Sequence, residues 1–228
     1  AHEAPHYPYQ GRHDPPRYTR ESGRTEDPVT PEVYKEMIEV MDEGVGRIRQ
    51  TLVDAGLIDN TFIFFFSDNG PAGPGSAGSL RGKKGQIWEG GHRVPAIACW
   101  PGKIEAGRVS DLTAMGADLL PTMAAIGGID LAADLKIDGI NLLPHLIENK
   151  LPAPRPLFWS LNDKLAIRKG DFKLITDTSF SETTLYNLSV DLGEKNNIAA
   201  DYPDLVQKLL NLLKTWQKEV TTGVIKRT

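Results

Sequence analysis

Thr61-Phe62-Ile63-Phe64-Phe65-Phe66-Ser67-Asp68-Asn69-Gly70 decides the fold class. Apolar and β-favouring residues run without a charge and then stop abruptly at polar turn formers. An uninterrupted run of this kind is expected of a central strand covered on both faces in an α/β sheet. On its N-terminal side, Thr30-Pro31-Glu32-Val33 is a helix start with proline at the first helical position. Val33, Met37, Val40, Met41, Val45, Ile48 and Leu52 then form an apolar stripe that ends before Gly56. On its C-terminal side, Pro71 to Gly91 is glycine-rich, as expected of a loop whose backbone approaches a ligand closely. Val94 to Trp100 resumes a short strand.

Further out, Met115, Leu119, Leu120, Met123 and Ile126 predict a helix within residues 111–127, with Pro121 setting its first turn or kinking it. Residues 128–154 are expected to be mostly connection. From Leu157 onward the pattern shortens to strands at 157–161, 164–168, 172–176 and 184–187, with Asn162-Asp163 and Gly170-Asp171 as turns. A last helix is expected over 202–220, its Leu205, Leu209, Leu212, Leu213 and Trp216 packing on that small antiparallel sheet. Residues 1–30, rich in Pro, His, Arg and Gly, have no sustained period and are expected to form an irregular loop. The expectation is an α/β region over 1–150 and a smaller α+β subdomain over 151–228.

With 228 residues and 40% apolar content, the chain can bury a sizeable core. Its 26 basic and 30 acidic residues are interspersed and leave a formal charge of −4, so no extended basic field exists for nucleic acid or an anionic membrane. No apolar run reaches the roughly 20 residues that span a bilayer, and no charged n-region with an apolar h-region opens the sequence. A soluble protein is expected. Cys99, the sole cysteine, excludes an intrachain disulfide and a Cys-based zinc site, and a buried structural role is its expected one. The opening AHEAPHYPYQGRHDPPRY resembles domain interior, so sequence upstream of it is expected.

Asp68 and Asn69 put a carboxylate and an amide carbonyl at the C-terminal end of the apolar strand, where open α/β sheets bind ligands. Both are hard oxygen donors suited to Ca²⁺ or Mg²⁺, and equally an Asx turn that closes the strand; two ligands do not complete a calcium shell. Lys84, in Leu80-Arg81-Gly82-Lys83-Lys84-Gly85, has glycines beside it that leave room for a tetrahedral anion, and the same pattern fits a solvated basic turn. His6, in Pro5-His6-Tyr7-Pro8, is able to donate a proton to a leaving oxygen near neutral pH, or to serve as a structural loop histidine.

Taken together, PHYPYQ, FFFSDNG, LRGKKGQIWEGGHRVPAIACWPG, DLLPT and DGINLLP resemble the type I sulfatases in wording and order. The resemblance covers most of the chain, is strongest from Phe62 to Gly102 and is weakest beyond Glu182. It implies an incomplete alkaline-phosphatase-like α/β sandwich followed by the small antiparallel sheet and long helix. It also implies a sulfuric ester hydrolase that releases sulfate from a sulfated carbohydrate or aryl sulfate, with Ca²⁺ preferred to Mg²⁺.

Residue by residue, Asp68 and Asn69 match the second pair of metal ligands, Lys84 the lysine that bridges sulfate and nucleophile, and His6 the histidine near the ester oxygen. The family's formylglycine arises in C-x-P-x-R or S-x-P-x-R, which this sequence lacks; Cys99 stands in Cys99-Trp100-Pro101-Gly102-Lys103, without the arginine. The nucleophile and the other metal carboxylates are therefore expected from a missing N-terminal portion. Arg81, Glu89, His92 and Arg93 are expected to support the lysine-bearing loop, with Glu89 paired to an arginine. His2, Arg12, His92 and Arg93 are candidate substrate contacts, and Glu3 and His13 flank the same loop. A periplasmic or secreted location is the family expectation. A phosphate or phosphonate ester hydrolase of the related superfamily, and a non-catalytic fragment that binds sulfated glycans, are the alternatives.

Overall fold

The computed structural model describes residues 4–14 and 29–222. Helix α1 (Pro31–Asp54) begins where the sequence indicates: Thr30 Oγ1 accepts the Val33 N–H at 3.3 Å, as an N-cap does. It ends as Gly56 turns to φ 67°, and the Leu57 N–H reaches back to the Leu52 carbonyl at 2.8 Å. None of its residues is buried, and Ile48 in the expected apolar stripe is 62% exposed.

Two compact units divide the chain, one of residues 44–66 and 96–153 and the other of residues 1–43, 67–95 and 154–228. In the first, β1 (Ile63–Phe66) pairs antiparallel with β2 (Ala96–Cys99), Ile63 opposite Cys99 and Phe66 opposite Ala96. The expected burial on both faces does not hold: β1 has one strand partner among the described residues and Phe66 is 42% exposed. Phe62, Phe64 and Phe66 share a face by the two-residue period; Phe62 stacks on Phe64 at 6.0 Å between rings, and Phe64 and Phe66 meet tilted at 5.5 Å. Hydrophobicity makes a run of phenylalanines able to be buried, but it does not supply the cover.

Two short helices complete this unit. In α3 (Leu119–Ile126) Pro121 sits in the first turn, where its missing N–H costs nothing. Asp118, fully buried, accepts the N–H groups of Met115 and Ile140, each at 2.9 Å. Thr122 donates to the Asp118 carbonyl at 2.6 Å and accepts the Leu142 N–H at 2.9 Å. These bonds explain the DLLPT and DGINLLP wording as a structural clasp. Residues 128–154, expected as connection, also contain α4 (Leu143–Glu148), whose last carbonyls accept from Arg108.

In the second unit β3 (Pro156–Leu161), β4 (Lys164–Lys169), β5 (Phe172–Asp177) and β6 (Thr183–Asn187) form an antiparallel meander in the order of the sequence. Alternation splits its side chains between two faces. Leu165, Ile167, Leu174 and Leu185 meet Leu209 and Leu213 of α5 (Pro203–Thr221), and Phe158 stacks on Trp216 at 5.1 Å. Ala166, Ile175 and Tyr186 point the other way and pack with Ile87, Trp88 and Trp159. Burying each leucine of α5 contributes on the order of 2 kcal/mol. The second face thus rests on the glycine-rich loop, which includes α2 (Glu89–His92).

Candidate active site

Three stretches that lie apart in the sequence are knitted together by backbone contacts that only glycine permits. The Gly70 N–H donates to the Gly91 carbonyl at 2.9 Å, and the Gly90 N–H to the Arg81 carbonyl at 2.7 Å. A Cβ on Gly70 would collide with the Gly90 carbonyl, one on Gly90 would lie 2.6 Å from the Arg81 carbonyl oxygen, and one on Gly91 would collide with the Gln86 carbonyl. All three glycines are buried. The Lys84 N–H donates to the Pro71 carbonyl at 3.0 Å, which sets the lysine backbone beside the end of Ser67-Asp68-Asn69-Gly70. Gly82 and Gly85, at φ 86° and 81°, turn the chain on both sides of Lys84 into the left-handed region that favours glycine.

Asp68 and Lys84 are exposed and Asn69 is half-buried. Among the described residues, none of these side chains has a hydrogen bond or an ion pair. The Ser67 hydroxyl donates to the Asn69 carbonyl at 2.9 Å, closing the turn by main chain and leaving the Asp68 and Asn69 side-chain oxygens unused. The donor set is hard oxygen and fits a divalent cation, although no group of three or more His, Cys, Asp or Glu is assembled for one among the described residues.

The segment of His6 adjoins the same loop: the Tyr9 hydroxyl lies 3.1 Å from where a Cβ on Gly73 would be, and the Tyr9 ring is 6.3 Å from that of Tyr34. His6 is exposed, its Nδ1 2.9 Å from the Tyr7 carbonyl oxygen. Arg12 is held 2.5 Å from Glu43. His13 is exposed; His2 and Glu3 lie outside the described residues.

Glu89, His92 and Arg93 belong to a buried charge cluster built on the second face of the sheet. Glu89 is fully buried, 2.9 Å from the ammonium of Lys173 and 3.2 Å from Arg168; Arg93, nearly half exposed, is 3.6 Å away. Burial opposes the Glu89 charge, but Lys173, His92 and Arg168 together outweigh it and hold the carboxyl below its usual range. His92 stacks on Trp159 with ring centres 4.4 Å apart, and its Nε2 is 3.2 Å from both the Ile87 carbonyl and Lys173. Burial, then the Lys173 charge, lower its pKa to about 4. A neutral ring with its lone pair toward the ammonium fits that field best.

Lys173, Glu194, Arg168 and Trp159 were not identified from sequence as partners of this loop. The available signal was Lys173 itself, a charge inside the apolar Phe172-Lys173-Leu174-Ile175 strand.

The chain belongs to the sulfatase family, whose model matches residues 1–129. It is 40% identical to human N-acetylgalactosamine-6-sulfatase over 58% of this chain and 26% of that one, and 33% identical to human arylsulfatase A over 78% and 41%. Among solved structures, Ps i-CgsB in complex with k-i-k-neocarrahexaose matches with a TM-score of 0.78 and 27% identity, over 93% of this chain and 48% of that one. The fold is therefore the α/β fold of these sulfatases. The chain spans less than half the length of each of these relatives. The family implies a divalent metal. No helix among the described residues is long and apolar enough to cross a membrane.

Proposed function

We propose that this chain carries the sulfate-binding part of the active site of a sulfuric ester hydrolase that acts on a sulfated carbohydrate. The observation that carries the reading is the glycine-knit crossing, in which the Lys84 main chain is bonded to Pro71, next to Asp68-Asn69-Gly70, and the Lys84 side chain has no partner among the described residues. A compact ammonium on a glycine-flanked loop is suited to the charge that develops on the non-bridging oxygens as the S–O bond breaks. His6 donates a proton to the departing sugar oxygen. Asp68 and Asn69 would supply two oxygens to a Ca²⁺ ion, which when bound would polarise the sulfate group.

The attacking group and the remaining metal ligands are proposed to come from sequence outside these 228 residues, because C-x-P-x-R and S-x-P-x-R do not occur here. Arg93 and Arg12, with His2, are proposed at the sugar side. His92 is proposed there as well, with its ring stacked on Trp159 and its Nε2 beside Lys173. The carbohydrate preference is supported by a relative named for N-acetylgalactosamine-6-sulfate chemistry and by a structural neighbour that holds a neocarrahexaose. Export to a periplasm or the medium is proposed with it, on the family resemblance.

The test is sulfate release from a panel of sulfated sugars and an aryl sulfate, using this chain joined to an upstream segment with the nucleophile motif. Lys84→Ala is expected to lower kcat by about 10²–10³ with little change in KM or thermal midpoint, as loss of a group that acts on transition-state charge does. Turnover unchanged by the substitution removes Lys84 from the chemistry.

A further inference from the structure

The loop that carries Lys84 is tied down at both ends by residues distant in sequence, Lys173 of β5 and Glu194 in the turn that follows β6. At one end, Arg81 Nη1 donates to the Glu194 carbonyl at 2.7 Å. At the other, Lys173 Nζ donates to the Ile87 carbonyl at 3.1 Å, and the Glu89 N–H donates to Glu194 Oε2 at 2.7 Å. Lys173 and Glu194 are both fully buried. The three protons of Lys173 go to Ile87 O, Glu89 Oε1 and His92 Nε2. Glu194 Oε1 lies 2.9 Å from the same nitrogen, a fourth acceptor around an ammonium with three protons, and pairs with it by charge. Glu194 also sits at φ 49°, in the left-handed region that a residue with a Cβ rarely adopts. A buried carboxylate in that conformation persists where its surroundings over-determine it, and such positions gather at functional sites.

We infer that Glu194 and Lys173 are positioning residues for Lys84. They touch neither substrate nor the reacting atoms. They fix Arg81 and the Ile87-Trp88-Glu89 stretch, and thereby the short glycine-flanked loop between them, so that the Lys84 ammonium is presented in one place. Without that anchorage the positive φ of Gly82 and Gly85 leaves the loop many conformations, and a charge that has to be reordered during the reaction loses its advantage. The inference rests on the proposed role of Lys84.

Two measurements decide it. Hydrogen exchange is followed on the 228-residue chain at the Lys84, Gln86 and Gly90 amides, with Ala166 and Leu174 in the sheet as references. Glu194→Ala is expected to speed the three loop amides about tenfold or more while the sheet amides stay within about twofold, and Glu194→Gln, which keeps an acceptor for Glu89, is expected to restore most of the protection. Equal acceleration in the sheet, or none in the loop, overturns the inference.

The second measurement is turnover in the joined enzyme. Glu194→Ala is expected to lower kcat about tenfold at nearly constant KM, and to add nothing further in a Lys84→Ala background. An equal loss in both backgrounds assigns Glu194 to folding alone and overturns the inference. Should Glu194→Ala not fold, Arg81→Ala removes one anchor from an exposed side chain and carries the same two readouts. A wild-type enzyme that hydrolyses no sulfate ester would sink the functional reading, while the exchange result would still decide the anchorage.

Discussion

Lys173 occupies a position at which the alternation of β5 turns the side chain into the protein, between Ile87, Glu89, His92 and Glu194. A charge there costs several kcal/mol in desolvation and is tolerated because each of its protons has an acceptor. The same field governs His92. Its pKa falls from 6.5 to about 4 on folding, so between those values the unfolded chain binds the additional proton and stability declines as pH falls. Glu89, held low, adds to the acid loss below the ordinary carboxylate range; Glu194, raised by burial against the pull of Lys173, works in the opposite sense. Thermal melts from pH 7 to 4 should show a loss of about 2–3 kcal/mol from His92. His92→Gln, which keeps an acceptor for Lys173, should flatten the slope; an unchanged slope would mean that another group titrates. The glycines offer a sharper test. Gly70→Ala forces a methyl group onto the Gly90 carbonyl, backbone against backbone, and should cost about 3 kcal/mol or more in a denaturant titration. Gly44→Ala, which meets nothing within 4 Å, should be neutral or mildly stabilising.

Among the elements, α5 and the meander were the most legible in sequence, because local signals sufficed: period-two runs, turn dipeptides and a leucine stripe at helical spacing. The strand expected over 157–161 occupies Pro156–Leu161, and the helix expected over 202–220 occupies Pro203–Thr221. Leu213→Ala removes a fully buried side chain from the core between α5 and the sheet and should destabilise by about 2–5 kcal/mol, read from the denaturation midpoint. A loss below about 1 kcal/mol would mean that α5 contributes little to the sheet. The run Thr61–Phe66 was legible as a strand and misleading about its cover. Its apolar content states what it tolerates, whereas the number of neighbouring strands is a property of long-range pairing. Short elements escaped for the converse reason: α2 is held by backbone bonds with Arg81 and Gly70, and no local period announces it. In the candidate site, His6, Asp68, Asn69 and Lys84 were legible through resemblance. Glu194 was not, because its role depends on a contact 105 residues away from Glu89 in sequence.

At the scale of the whole molecule, the proposed metal site is short of ligands among the described residues. A cation of the calcium type takes roughly six to eight oxygens, and two side chains here are available to it. Affinity depends on ligand charge and number, so the 228-residue chain alone should bind Ca²⁺ weakly, and joining it to a segment with further carboxylates should raise affinity by several orders of magnitude. The comparison is a calorimetric titration of both proteins, with Asp68→Asn in the longer one. That variant removes one charged ligand while leaving the strand end intact, and should weaken Ca²⁺ binding about 10-fold or more and lower turnover in step. The expected order is tight binding in the joined protein, weaker binding in Asp68→Asn and the weakest binding in the short chain. Chelation should abolish sulfate release by the joined protein and added Ca²⁺ restore it, with Mg²⁺ restoring less, because its smaller, stricter shell fits a mixed carboxylate and amide site poorly. If the short chain binds Ca²⁺ as tightly as the long one, the remaining ligands lie within these 228 residues, and the proposed division of the site between this chain and another segment is wrong.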